Sequence, residues 1–408
     1  MTMPVHSLYV HIPFCERKCE YCDFVSVGGT AGEADYVEAL RAEIEHIGTA
    51  LGGPRLDTIF FGGGTPGLIE PQRLGSLLTT IRNTFTIAPD AEITLEANPS
   101  STSRQRAETW RSAGFNRVSI GVQSLEPDIL RFLGRVHDEH QALEAVSSVR
   151  EAGFDAVSCD LIYAVPGLED ERWQRTLAQV IAANPDHISC YELTVEPGTP
   201  LHASVRRGVI STVDAEVALR QHWIAVDRLA EANLRQYEVS NFAKDGQECR
   251  HNLAYWRHQF YAAAGVGAHG YLPGAAGHAV GHPAEPDQGI RYWHSRKLHG
   301  YVGDAGRGWG IEGHEVVDEQ MKTLETVMLG LRLRQGVVVP PTMRREAERL
   351  AEAGFLVASG DSFRTTRVGE GVLNEVIARV TSAPPEADPA GSARAPAVRS
   401  QGADVVHA

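Results

Sequence analysis

No stretch of this sequence stays apolar for the ~20 residues that a membrane-spanning helix requires, which excludes a helical integral membrane protein. The N-terminus lacks a basic segment followed by an apolar stretch and a small-residue cleavage site, so no secretory signal is expected. Basic side chains are in the minority: 38 Lys and Arg face 52 Asp and Glu, a net charge of −14. Such a chain repels a phosphate backbone on average, and no nucleic-acid partner is expected. Cysteine is scarce, with six in 408 residues. Disulfide frameworks belong to short, cysteine-dense secreted chains, so the expected compartment is the cytoplasm. What remains is ordinary for a globular protein, 43% hydrophobic and 22% charged. A chain this long can bury a large core, in one big domain or in two or three smaller ones.

The first two-thirds alternates short apolar strands with amphipathic helices. Strands are expected at Ser7–Ile12, Asp57–Phe61, Glu92–Glu96, Val118–Val122, Val157–Ile162 and His187–Glu192, with a seventh candidate at Gln236–Ser240. Val37, Leu40, Ile44 and Ile47 recur at helical spacing. Asp138 and Gln141 form a capping-box pattern, and Gly153 suits the end of the helix they open. The segments SAGFNRVSIG (112–121) and EAGFDAVSCD (151–160) repeat a helix end, Gly, Phe and strand, and EANLRQYEVS (231–240) is a looser third copy. A recurring helix–strand unit implies parallel strands with right-handed crossovers. About six units favour an α/β partial (β/α)6 barrel over an open doubly wound sheet, with functional groups at the C-terminal strand ends.

Residues 1–245 are expected to form the barrel, 246–314 a connecting region, 315–380 a small C-terminal unit and 381–408 a disordered tail. Within these, Pro273–Gln288 reads as a surface loop. The C-terminal unit has expected helices at Met321–Leu333 and Glu346–Gly354 and a hairpin at Phe355–Thr366, a winged-helix-like α+β order.

Three of the six cysteines crowd into eight residues: Cys15, Cys19 and Cys22, directly after the first strand. Three thiolates on one loop can converge on one centre. A [4Fe–4S] cube takes four ligands, so three cysteines leave one iron open. Zinc is the alternative and usually wants a fourth protein ligand, which His11 or Asp23 could supply. Cys159, Cys190 and Cys249 are scattered and are expected to pack as small apolar groups.

The run YVHIPFCERKCEYCDF (Tyr9–Phe24) resembles the cluster loop of radical S-adenosylmethionine enzymes. Its YxHIPFC lead-in resembles the oxygen-independent coproporphyrinogen III oxidase group of that superfamily, the HemW-type haem chaperones included. The resemblance implies that the open iron chelates S-adenosylmethionine, which the reduced cluster cleaves to methionine and a 5′-deoxyadenosyl radical.

Further motifs match in order along residues 5–380. Gly62-Gly63-Gly64-Thr65-Pro66 follows the second strand, where consecutive glycines admit close backbone approach. A tight turn alone would account for it. By resemblance Gly63, Gly64 and Thr65 hold the amino group of S-adenosylmethionine. Glu96, in Leu95-Glu96-Ala97-Asn98-Pro99, could accept from ribose hydroxyls or be a cap or surface charge. Glu96, Gln123, Arg135 and Asp160 match the positions lining the cofactor pocket, and Tyr9 and Tyr21 match positions near it.

Phe24 stands where the coproporphyrinogen dehydrogenases carry a further cysteine, and only fourteen residues precede Cys15 where they have a long extension. Both departures point away from that activity. His251-Asn252-Leu253-Ala254-Tyr255-Trp256 resembles the motif linked to haem binding in the HemW-type chaperones. One His beside aromatics is ordinarily core or surface, while imidazole is also a common haem ligand. His258 and His269 are neighbours without a motif. The resemblance thus implies haem bound through His251, delivery to membrane respiratory enzymes with transient membrane association, and a homodimer. The rivals are a radical oxidoreductase acting on a porphyrinogen or another substrate, and a binding module with a structural cluster.

Overall fold

The computed structural model describes residues 5–303 and 310–382, so all but the start of the expected disordered tail lies outside the described residues. The described residues form two compact units, one drawn from 5–236, 240–251 and 260–317, the other from 237–239, 252–259 and 318–382.

The first unit is built on a twelve-stranded sheet. Seven strands run parallel, in the order Tyr261–Ala264, Ser7–Ile12, Arg55–Gly63, Thr86–Ala97, Arg117–Gln123, Ala156–Tyr163 and His187–Glu192. Antiparallel strands extend it, His269–Pro273, Gly289–His294 and Ile311–Val317 on one side, Asn241–Ala243 and Arg235–Gln236 on the other. The two end strands do not pair with each other among the described residues, so the barrel is open, a partial (β/α)6 barrel as expected.

Local sequence accounts for the crossovers. On the helix Glu33–Ala50, Val37, Leu40, Ile44 and Ile47 are all buried. Asp138 and Gln141 close a capping box on Glu139–Glu151. The three repeated segments place Gly114, Gly153 and Asn233 at φ of 110, 80 and 62°, the left-handed turn that ends a helix. Each is followed by a buried Phe115, Phe154 or Leu234. Asn tolerates that conformation better than other side-chain-bearing residues, which explains why the loosest copy still turns.

The parallel strands have two unlike buried faces. Leu8, Val10, Ile59, Phe61, Leu95, Val118, Ile120, Val157, Cys159, Leu161, Ile188 and Cys190 belong to the apolar core. The opposite face is polar yet also buried: Ser7, Thr58, Glu92, Thr94, Arg117, Ser158, His187 and Ser189. Some of its groups pair across strands, Thr58 donating to Ser7 at 2.8 Å and Ser158 meeting His187 at 2.7 Å.

Three expectations need correction. Gln236–Ser240 is not one strand but two short antiparallel ones, Arg235–Gln236 and Asn241–Ala243, flanking a break. Pro273–Gln288 is not a surface loop throughout. It contains a 3₁₀ helix, Gly274–Val280, with Ala276, Ala279 and Val280 buried. Its small residues fit a close approach, since a Cβ on Gly274 would meet the Glu285 carbonyl at 1.9 Å. The helix expected at Met321–Leu333 runs over Glu319–Gly330, capped by Asp318.

In the second unit, helices Glu319–Gly330, Pro341–Glu352 and Leu373–Thr381 accompany a three-stranded antiparallel sheet of Val337–Val338, Ser362–Thr365 and Leu356–Ser359. This is the expected winged-helix-like α+β order. Val327, Leu331, Leu350, Phe363 and Val376 form its core, and Trp256 packs with Leu329 and Leu333. No helix among the described residues is long and apolar enough to cross a membrane.

One side chain that the sequence does not advertise fastens the glycine-rich segment. Arg106 Nη2 donates to the carbonyls of Gly67, Leu68 and Ile69 at 2.7, 2.9 and 2.6 Å. Hydrogen bonds from a charged donor are each worth about 1.5–3 kcal/mol. These three share one nitrogen, so Arg106→Met is expected to cost about 2 kcal/mol in a urea titration. A midpoint equal to wild type would mean that this turn holds itself.

Candidate functional site

The C-terminal end of the first strand passes straight into the cysteine loop. Phe14–Cys15 pairs in parallel with Val27–Gly28, so the loop leaves and returns side by side. His11 ties the return down: its Nε2 donates to the Val25 carbonyl at 2.8 Å, while its Nδ1 accepts from Tyr9 Oη at 3.0 Å. Burial lowers the His11 imidazole to about 4, so it is neutral near pH 7 and can fill both roles.

Gly62, Gly63 and Gly64 lie under this loop. Gly63 has φ of 110°, and a Cβ there would meet the His11 ring at 2.4 Å. A Cβ on Gly64 would meet the Phe14 carbonyl at 2.8 Å. Backbone N–H groups here are already used: Gly63 donates to Glu96 at 3.1 Å, Gly64 to the Ile12 carbonyl at 2.8 Å and Thr65 to the Phe14 carbonyl at 2.8 Å. What remains for a ligand is carbonyl oxygen, the right polarity for an ammonium group.

The thiols are half-buried or buried. Burial raises the Cys15 thiol, against a hydrogen bond from Thr65 at 3.7 Å. Burial pushes the Cys22 thiol up to about 11, with Cys19 and Cys15 adding to the rise, so the three thiols sense one another. Arg135 Nη1 reaches Cys19 Sγ at 3.6 Å. Tyr21, whose hydroxyl is raised chiefly by burial, also bonds to Cys19.

Three cysteines on one short loop fit a [4Fe–4S] cube with one iron left open, whereas zinc usually wants a fourth protein ligand. The fourth ligands considered for zinc are engaged elsewhere, His11 as above and Asp23 with Arg296 at 3.1 Å.

Other candidates come together at neighbouring strand ends. Burial pushes the Glu96 carboxyl up to about 8, helped by the nearby Asp160 charge and opposed by the Gly63 N–H. Asp160 is also raised by burial, and it accepts from Ser189 at 2.8 Å and from Ser119 at 2.9 Å. Gln123 has φ of 63° at a register shift that ends its strand. Left-handed non-glycine backbone of this kind clusters at functional sites. The hydroxyl of Tyr9 is committed to His11.

His251 lies elsewhere. It opens the helix Arg250–Trp256 and is 1% exposed. Its ring stacks on Phe60 with centroids 5.2 Å apart, and its Nδ1 meets Thr58 Oγ1 at 2.8 Å. Thr58 pairs with Ser7, the first residue of its strand, whereas the cysteine loop follows Ile12 at the other end. Six residues of strand separate the two levels, on the order of 20 Å. Glu92 holds this end, accepting from the His251 N–H at 2.9 Å, the Arg250 N–H at 3.1 Å and Cys249 Sγ at 3.5 Å. Cys159, Cys190 and Cys249 all sit in the apolar core as expected, Cys249 with its bond to Glu92 in addition.

Sequence reasoning missed Asn98 and Glu92. Asn98 joins Thr65 to Arg135, and its only signal was its place two residues after Glu96.

The Radical SAM superfamily model matches residues 9–180. A "Heme chaperone HemW" of Mycobacterium tuberculosis is 37% identical over 381 residues, covering 91% of this chain and 93% of the relative. Its namesake from Bacillus subtilis is 33% identical, covering 91% of this chain and 97% of the relative. Coproporphyrinogen III oxidase (HemN) from Escherichia coli superimposes with a TM-score of 0.78 at 21% identity, over 94% of this chain and 91% of that one, a likeness of fold. With thiols, glycines and strand-end polar groups arranged in that order, the chain belongs to the HemW family of the radical S-adenosylmethionine superfamily.

Proposed function

We propose that this chain binds haem on a radical S-adenosylmethionine scaffold and passes it, in the cytoplasm, to membrane respiratory enzymes. The observation that carries the reading is likeness across 91% of the chain to proteins named heme chaperones. Cys15, Cys19 and Cys22 hold a [4Fe–4S] cluster. Tyr9, Tyr21, Gly63, Gly64, Thr65, Glu96, Gln123, Arg135 and Asp160 surround S-adenosylmethionine on its open iron. Bound there, the pair supplies one-electron, carbon-radical chemistry. The half-buried and buried polar groups of the site orient the ligand and keep water out. A homodimer and transient membrane contact belong to the same reading, the latter supplied by the client.

The haem contact is assigned to His251. Because this imidazole is buried under Phe60, it reaches haem only when its helix lifts from Glu92. Anaerobic haem titration of the cluster-reconstituted protein, followed at the Soret band, tests the assignment. His251→Gln is the informative variant, because an amide can still bond Thr58 and keep the sheet end closed. Saturable, near-stoichiometric binding is expected, weakened at least roughly tenfold in the variant, about 1.4 kcal/mol. Binding indifferent to His251 would move the contact elsewhere. Coproporphyrinogen turnover by the same preparation would replace the chaperone reading with an enzyme.

A further inference from the structure

Cys15 and Cys19 are linked by side chains as well as by their loop. Thr65 Oγ1 stands 3.7 Å from Cys15 Sγ, and Asn98 Nδ2 stands 2.8 Å from Thr65 Oγ1. On its other side Asn98 Oδ1 receives Arg135 Nη2, and Arg135 Nη1 stands 3.6 Å from Cys19 Sγ. A bracket of three side chains therefore spans two of the three thiols.

The direction of every bond in it is forced. A guanidinium only donates, so Asn98 must turn its carbonyl toward Arg135. The amide NH2 then faces Thr65 and donates to its oxygen. The Thr65 hydroxyl hydrogen is left to point at Cys15. Arg135 aims its second nitrogen at Cys19. Asn98 is the link that faces both ways.

The bracket is also braced. The backbone carbonyl of Asn98 accepts from Ser101 Oγ at 3.1 Å and Thr102 Oγ1 at 2.8 Å. Arg135 Nη2 also donates to the Gly121 carbonyl at 2.8 Å. Gly121 lies directly beneath: a Cβ there would stand 2.9 Å from Asn98 Oδ1 and 3.0 Å from Arg135 Nη2.

We propose that Asn98 is a positioning residue that aims one hydrogen bond at the sulfur of Cys15 and one at that of Cys19, and thereby sets the reduction potential of the cluster. The inference rests on the reading that these thiols hold a [4Fe–4S] cluster. Hydrogen bonds donated to ligand sulfur stabilise the more negative, reduced state and raise the potential. Asn98→Asp keeps the shape but turns the amide into an acceptor-only group. It still receives Arg135, but it also draws the Thr65 hydroxyl hydrogen away from Cys15 and adds negative charge. Thr65→Val removes the Cys15 donor without changing charge.

The test is a redox titration of reconstituted full-length protein, read by the electron paramagnetic resonance signal of the reduced cluster, with iron and sulfide assayed alongside. Both variants are expected to reduce at more negative potential than wild type, Asn98→Asp the further. For Asn98→Asp the ratio of reduced to oxidised cluster at the wild-type midpoint falls about tenfold, roughly 59 mV for a one-electron couple. Wild-type protein without iron and sulfide would sink the cluster reading itself. Loaded protein with unchanged midpoints would overturn the role of Asn98 while that reading stands. Should Asn98→Asp fail to load, Thr65→Val decides, and an unchanged midpoint there overturns the proposal.

Discussion

Glu92→Ala is expected to destabilise the first unit by about 3–5 kcal/mol, the usual cost of stranding one partner of a buried ion pair. The stranded group is Arg117, 3% exposed, with Nη1 3.8 Å from the Glu92 carboxylate. The bond from Arg117 to the Gln247 carbonyl, at 3.0 Å, carries no opposite charge to replace the carboxylate. The same substitution leaves the Arg250 and His251 N–H groups without their acceptor. These are first-turn donors with no partner inside their helix, and a carboxylate is their preferred ligand. Glu92→Gln keeps an acceptor and loses only the charge, so a smaller loss of about 1–2 kcal/mol is expected. Urea titration at pH 7 reads both. A Glu92→Ala loss below ~0.5 kcal/mol, the scale of an ordinary surface change, would mean that water enters this end of the sheet freely. If His251 does contact haem, Glu92 is the residue against which that contact competes.

Below pH 6.5, wild type is expected to lose stability relative to His251→Gln by about 1.4 kcal/mol per pH unit. Burial lowers the His251 imidazole to about 3 from an ordinary value of 6.5. The unfolded chain takes up a proton near 6.5, while the folded chain resists it until about 3. Between those values the unfolded state binds more protons, so acid favours unfolding. His11 and His137, each lowered by burial to about 4, act in the same sense over a narrower window. His294 acts oppositely. Burial alone would lower it, but the Glu43 carboxylate outweighs burial and raises it. Its contribution is therefore full below 6.5 and fades as pH rises through its higher folded value. Comparing wild type with His251→Gln at each pH cancels these other groups. Parallel curves from pH 7 to 4.5 would show that His251 is already protonated or solvent-accessible in the folded protein.

Much of the first unit is determined by sequence alone, because its signals are local. The helix Glu33–Ala50 follows from apolar spacing, and the capping box at Asp138 with the left-handed Gly153 follows from residue chemistry at fixed offsets. The cysteine loop is legible for the same reason: three thiols in eight residues have few other uses. The break in Gln236–Ser240 and the buried 3₁₀ helix Gly274–Val280 were not legible. In both, contacts distant in sequence override local composition.

The polar strand faces show the limit most clearly. Glu92, Thr94 and Glu96 alternate with apolar neighbours, a pattern that ordinarily marks a solvent face. Tertiary structure decides instead that this face is largely buried, where polar groups draw partners from elsewhere in the fold. Such pairing joins Thr58 with Ser7 and His251, Glu92 with the helix Arg250–Trp256, and Asn98 with Thr65 and Arg135. Residue types and spacing determined which chemistry this chain can support. Which end of the sheet each group occupies, and which partner holds it, depended on strand register and closure, which no single segment encodes.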